Sequence, residues 1–483
     1  MNLLQTIVYD YLWGIPLVIL ILTTGIYLTL KTKFYQFRKF KHSIKTTFKN
    51  LKVDGEKGDG VISPFEALSV ALGATIGVGN IGGVATAIAF GGPGAIFWLW
   101  IAGLLGPIIK MAEITLAVHY RSKDNKDEAY GGPTYYISRG LGKERKLKKL
   151  SKVLNFIFIS GFATGFFLTV QNYTISEAIS TTFNFNIVLV SGIFTILLYM
   201  IIAGGLSSLA KYAAKLVPFM VIFYMAGGLF IIFKNINMVP ESIRIIFDSA
   251  FNGTAATGGF VGATVAKAIK VGMSRAVFSN EAGWGSSPMV HASARTDHPV
   301  KQGLLGVFEV FMDTIVILTI TALVIMVTGE WSSGLDGAAL TLSAFESGLG
   351  EVGRVILTIG IFLFGLTTVS GIYAQIEVLL RYMLGKKSKK KEKILTVYKW
   401  FYPLPGFLMV VIAAYYGMPG IQVWLFADMS TALPIFANVV ALLLLSPKFL
   451  ELLKDYNSRY IQKKNIDSSF NVFFEDKKES IKK

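Results

Sequence analysis

Residues 73–80, GATIGVGN, put Gly73, Gly77, Gly79 and the polar Asn80 in the middle of an apolar stretch that runs from Phe65 to Phe90. A membrane-spanning helix needs about 20 apolar residues, and this stretch has that length, with Gly82 and Gly83 also inside it. Glycine disfavours continuous helix, so the span is expected to break here. In hydrocarbon, broken backbone survives only beside protein or a water-filled cavity, because unpaired N–H and C=O groups are costly. The exposed half-helix ends then become ligands: N–H groups attract anions and carbonyls coordinate cations. Gly77, Gly79 and Gly82 also match GxGxxG, but no short strand precedes them and no βαβ unit surrounds them, which excludes a dinucleotide fold.

Composition agrees with a membrane setting. The 483 residues are 53% hydrophobic and 16% charged, and the mean hydropathy is +0.55. That pattern belongs to a polytopic all-α membrane protein. There is no cysteine, and the four histidines (His42, His119, His291, His298) show no metal-ligand spacing, so metal-dependent catalysis is not expected. The segment 11–30 has no basic residue before it and reads as a retained helix rather than a signal peptide. The net charge of +17 is concentrated in loops beside apolar segments, where it orients a membrane protein; no nucleic-acid partner is expected.

Hydropathy places eleven spans near 11–30, 65–90, 94–119, 153–179, 187–203, 215–233, 262–294, 303–328, 352–384, 397–416 and 421–446. Every Lys/Arg-rich loop (31–57, 121–152, Lys211, Lys301, 386–393 and the tail after Lys448) falls on one side of this arrangement. By the positive-inside rule the N-terminus is outside and the C-terminus cytoplasmic. Three parts follow: 1–60, an N-terminal helix and basic loop; 61–446, a ten-helix core; and 447–483, a polar cytoplasmic tail. Ten core spans divide into an inverted five-plus-five repeat, about 61–234 and 260–446, which pairs the second span with the seventh. The seventh is interrupted too, by SNEAGWGSSP at 279–288. Two broken helices in matching positions point to a binding site at the membrane midplane. Glycines also serve close helix packing, and Gly73 and Gly77 match GxxxG.

The strings GVGNIGGVATAIAFGGPGAIFW, GGPTYYI, FSNEAGWGSSP and PVKQGL resemble the alanine or glycine:cation symporter family, in order, from about residue 61 to 446. The resemblance implies the leucine-transporter (LeuT) fold with one added N-terminal helix, and a secondary transporter rather than an enzyme. It implies that the N–H groups of Val78 and Gly79, beside Thr75 and Asn80, hold a substrate carboxylate. Carbonyls of Gly73 and Ile76 with the hydroxyls of Thr367 and Thr368 would form a sodium site, all oxygen donors as a hard cation requires. Phe278, Ser279, Gly283 and Trp284 would line the substrate, with Phe167, Gln171 and Ile372 around it. Back-bonding within the helix is the plainer role for Thr367 and Thr368, and helix joining for Gln171.

The sequence departs from the family where side-chain selectivity should sit: Ile372 stands where Trp is common, Trp284 where Leu or Met is common, and Ala374-Gln375 where an aromatic pair is usual. Strict alanine or glycine selectivity is therefore open, and a larger neutral amino acid such as glutamine fits the exchange. The expectation is a sodium-coupled symporter of small neutral amino acids in a bacterial or archaeal cytoplasmic membrane, with Na+ as coupling ion. Proton-coupled symport and a cation channel are the alternatives. Of the carboxylates in or near spans, Glu113, Asp313, Glu377 and Asp428 read as relay groups or structural pairs with Lys110, Arg275 or Arg381, and Glu281 reads as a partner of Arg275. Lys386–Lys391 could attract anionic lipid.

Overall fold

The computed structural model describes residues 6–50, 60–123, 128–167, 170–252, 264–385, 390–418, 420–463 and 470–474. Among the described residues, six helices are long and apolar enough to cross a membrane: Gly94–His119, Gly205–Lys234, Pro299–Val327, Glu351–Leu384, Lys391–Tyr416 and Asp428–Ile461. A seventh candidate is the pair Pro64–Thr75 and Gly79–Gly91, bent by 42° at its break. Ile15–Lys31 and Ile187–Ile202 are shorter apolar helices. The expected seventh span is divided into Val265–Asn280 and Ser287–His291. Within the expected fourth span the described residues form the helices Lys148–Phe167 and Gln171–Phe183, with Val170 outside both.

Local chemistry sets the break in the second span. Its first half starts on a reciprocal cap: Ser63 Oγ accepts from Glu66 N–H at 3.2 Å and Ser63 N–H donates to Glu66 Oε2 at 2.8 Å, with Pro64 in the first turn. The half ends where Ile76 turns extended, at φ −76° and ψ 91°. Gly77 N–H then donates to the Asn80 side chain at 2.7 Å. One short amide thus replaces the missing backbone acceptor.

The first half-helix and the chain after the seventh span meet at one end of the molecule. Val61 N–H donates to Ser293 O at 2.8 Å and Arg295 N–H to Ile62 O at 2.9 Å, closing a short parallel bridge between Ile62 and Ala294. Arg121 Nη1 donates to Ala294 O at 2.9 Å and fastens the same corner. The C-terminal tail reaches this corner as well. Phe474 N–H donates to His119 O at 2.9 Å, and Arg121 lies 4.7 Å from the Phe473 ring centroid. Residues 473 and 474 are thus docked against the end of Gly94–His119.

Two stretches between the expected spans hold helices, the amphipathic Val239–Asn252 and the largely buried Gly337–Leu349. Both are too short to register at span length. The second one covers the broken span, and Thr341 Oγ1 donates to Ile81 O at 3.0 Å.

Candidate functional site

The two breaks abut. A Cβ added to Gly79 would lie 3.3 Å from Phe278 Cδ1 and 3.4 Å from Ser279 Cα, so no larger residue fits there without movement. In the seventh span the chain leaves helix at Glu281 (φ +55°) and passes through Gly283 (φ +89°) and Gly285 (φ +84°), a left-handed path that glycine adopts freely. In the second span Gly77 serves a different purpose. Its φ is not left-handed, but an added Cβ would stand 2.1 Å from Thr368 Oγ1. Close packing onto the helix Glu351–Leu384 is what excludes a side chain at Gly77.

Between the breaks lies a small cavity lined by Thr75, Gly77, Val78, Gly79, Gln171, Phe278, Glu281, Trp284, Thr368 and Ile372, among others. It brings together eight of the residues expected to hold substrate or cation: Thr75, Val78, Gly79, Gln171, Phe278, Trp284, Thr368 and Ile372. The N–H groups of Val78 and Gly79 open the second half-helix, where no preceding turn supplies acceptors. Phe278 and Trp284 stack with ring centroids 6.0 Å apart, forming one wall. A second cavity shares Gln171, Phe278, Trp284 and Ile372 and continues past Phe162, Gln375 and Ser430.

Other expected residues support this cavity without lining it. Asn80 is fully buried; its Oδ1 caps Gly77 and its Nδ2 donates to Asp313 Oδ1 at 2.7 Å. Ser279 Oγ donates to the same Asp313 oxygen at 2.9 Å, so Asp313 ties the two breaks together. Gly283 sits behind the wall, its N–H on Glu113 Oε2 at 3.1 Å and its carbonyl accepting from Asn438 Nδ2 at 2.9 Å. Phe167 ends the helix Lys148–Phe167, and its side chain lies outside the described residues.

At the expected cation position, Thr368 Oγ1 donates to Gly73 O at 3.0 Å across the two helices. Thr367 Oγ1 instead bonds back to Phe364 O at 2.9 Å and Leu363 O at 3.2 Å. It remains next to the break, since an added Cβ on Gly73 would lie 3.0 Å from Thr367 Cβ. A hydroxyl that donates along its own helix keeps lone pairs for a cation.

The expected pairing of Arg275 with Glu281 is not formed. Arg275 is bound by Asp428 through Nη1–Oδ1 at 2.9 Å and Nη2–Oδ2 at 2.5 Å. Six residues apart along a helix, Arg275 and Glu281 point to different faces, and the turn at Glu281 separates them further. Glu377 does pair with Arg381, at 2.7 Å. Lys110 pairs with Glu309 at 3.3 Å, a partner the sequence reading did not name.

A family model described as the sodium:alanine symporter family matches residues 1–471. The chain belongs to the sodium:alanine symporter family. Among its relatives, an uncharacterised transporter of Haemophilus influenzae is 42% identical over 93% of this chain and 95% of its own length. The sodium/alanine symporter AgcS of Methanococcus maripaludis is 37% identical over 93% of this chain and 96% of its own. Among solved structures, that of MhsT in complex with L-phenylalanine aligns with a TM-score of 0.57 at 16% identity, covering 83% of this chain and 93% of that one. This likeness shows a shared helical transporter fold. Like other members of the sodium:alanine symporter family, the chain is a multi-pass membrane transporter and not an enzyme.

Proposed function

We propose that this chain is a sodium-coupled symporter of small neutral amino acids, working by alternating access to the cavity between the two breaks. The observation that carries it is the contact of Thr368 Oγ1 with Gly73 O at 3.0 Å. It places a hydroxyl and a backbone carbonyl freed by the break together beside the cavity wall, a neutral oxygen set suited to a monovalent cation that enters and leaves each cycle. Gly73, Ile76, Thr367 and Thr368 would supply the sodium ligands, and the N–H groups of Val78 and Gly79 the carboxylate site. Bound sodium and substrate carboxylate would then stabilise one another in a low-dielectric pocket. The name of the 37% identical relative, a sodium/alanine symporter, supports the same pairing of ion and substrate.

Eleven spans, one helix followed by two inverted sets of five, with the N-terminus outside in a prokaryotic cytoplasmic membrane, belong to the same reading. A larger substrate has an observation of its own. Trp284 Nε1 is buried without a hydrogen-bond partner among the described residues, and the second cavity continues past it to Gln375 and Ser430. A side-chain amide such as that of glutamine would supply the acceptor.

Uptake of radiolabelled neutral amino acids into proteoliposomes, with and without an inward sodium gradient, tests the proposal. Sodium-driven alanine or glycine uptake is expected; glutamine preferred over both would favour the larger-substrate reading. Uptake indifferent to sodium would overturn the cation site, and currents far above carrier rates would indicate a channel.

A further inference from the structure

Glu281 occupies an unusual position for a carboxylate. It closes the helix Val265–Asn280 with φ +55°, a left-handed cap that glycine or asparagine ordinarily fills. A larger side chain is disfavoured there, so the residue is held at some conformational cost. It is 2% exposed, yet it lines the same cavity as Val78, Gly79 and Thr368.

Its partners are neutral. Oε2 accepts from Ser286 Oγ at 2.5 Å and from Gln375 Nε2 at 3.5 Å, and it lies 2.9 Å from Ser287 Oγ, whose one hydrogen it shares with Glu309 Oε1 at 2.7 Å. Oε1 accepts no hydrogen bond among the described residues, and Glu281 forms no salt bridge among them. The nearby cation is already engaged: Lys110 donates to Ser287 Oγ at 2.8 Å and pairs with Glu309, which also binds His291 at 3.0 Å. Arg275 is taken by Asp428. Glu113, the other neighbouring carboxylate, faces Gly283 N–H and Asn438. A buried carboxylate with no ion-pair partner of its own is expensive unless a cation arrives.

We propose that Glu281 is a substrate-binding residue whose free oxygen receives the ammonium group of the transported amino acid. The inference rests on the amino-acid symport reading above and adds to it a charged recognition element for one end of the zwitterion. The half-helix N–H groups take the carboxylate; Glu281, across the same cavity, takes the opposite charge. A charge-assisted hydrogen bond of this kind is stronger than one to a neutral carbonyl. The arrangement also explains why Ser286 and Ser287 converge on Oε2: they hold one oxygen so that the other stays in the cavity.

The test compares alanine with lactate, which keeps the carboxylate and methyl group but carries a hydroxyl for the ammonium. Equilibrium binding to the purified full-length protein in sodium is measured for both, using wild type and Glu281→Gln. The amide keeps an oxygen for Ser286 and Ser287 but loses the charge. Alanine affinity is expected to fall about tenfold or more while lactate affinity changes little, so discrimination between them collapses. Equal weakening of both, or no change in either, overturns the assignment.

A second measurement uses the unaltered protein and so does not depend on the variant folding. A hydrophobic carbodiimide labels Glu281, and the adduct is quantified by mass spectrometry. Protection by alanine but not by lactate is expected; equal protection by both, or none by either, overturns the proposal. Absence of any amino-acid binding by wild type would overturn the symport reading and this inference with it, whereas binding with undiminished discrimination in Glu281→Gln removes only the latter.

Discussion

Arg275 and Asp428 form a two-pronged ion pair, at 2.9 and 2.5 Å, between the helices Val265–Asn280 and Gly420–Tyr456, with both side chains almost fully buried. Trp13 Nε1 also donates to the Asp428 carbonyl at 3.0 Å, which ties the N-terminal segment to the same point. Breaking a buried pair from one side leaves an uncompensated charge and costs about 3–5 kcal/mol. Asp428→Ala is therefore expected to lower the thermal unfolding midpoint in detergent by several degrees, and replacing both residues with apolar ones of similar size should recover most of the loss. A single variant as stable as wild type would show that the pair contributes little.

The contact between Gly77 and Thr368 leads to a linked pair of outcomes. Gly77→Ala drives a methyl group to 2.1 Å from Thr368 Oγ1, so sodium-driven uptake should fall at least about tenfold. Thr368→Ala removes the hydroxyl and should raise the sodium concentration needed for half-maximal uptake with the fold intact. In the double variant only a 3.2 Å approach to the Cβ at position 368 remains, so uptake at saturating sodium should recover in part while sodium dependence does not. Sodium affinity unchanged in Thr368→Ala would remove Thr368 from the cation site.

Asn80 and Asp313 are expected to behave as a unit. Asn80→Asp sets two carboxylates 2.7 Å apart in the interior and should destabilise the protein by about 1–3 kcal/mol with loss of transport. Exchanging the two, Asn80→Asp with Asp313→Asn, restores one donor facing one acceptor. Uptake by the exchanged variant well above that of either single variant would demonstrate the coupling; equal loss in all three would argue against it.

A pH response is expected at His298, which lies in the loop before the helix Pro299–Val310. Its Nδ1 accepts from Val300 N–H at 3.2 Å as that helix's cap, and its Nε2 meets Asp455 Oδ2 at 3.1 Å. Burial pulls the imidazole below its ordinary 6.5, and outweighs the upward pull of Asp455. Protonating Nδ1 would also remove the cap. The unfolded chain binds a proton near pH 6.5 while the folded one remains neutral to lower pH, so stability is retained above that value and declines as the pH falls below it. His298→Asn, which keeps a capping oxygen, should flatten the unfolding midpoint between about pH 7.5 and 5.5. A slope equal to that of wild type would place the titration elsewhere.

Much of the site was legible in the chain because its signals are local. Glycine and Asn80 inside membrane-length hydropathy mark a break, and the SNEAGWG run marks a second. Both breaks are present, and Asn80 makes the amide cap that its position invites. The roles within the breaks were less legible. Gly77 is required by a helix nearly three hundred positions away, through Thr368, and not by its own backbone angle. The Asn80 amide and the Ser279 hydroxyl both turn to Asp313, a shared partner that the order of residues along the chain does not reveal.

Composition and periodicity determined, by themselves, a polytopic helical membrane protein with two interrupted spans, since hydrocarbon admits only helices whose breaks are sheltered. Partner choice among buried charges was decided by the tertiary structure alone. Arg275 found Asp428, Lys110 found Glu309, and Glu281 was left facing the cavity, because a buried ion pair depends on distances of a few ångströms between helices. Sequence separation carries no record of those distances.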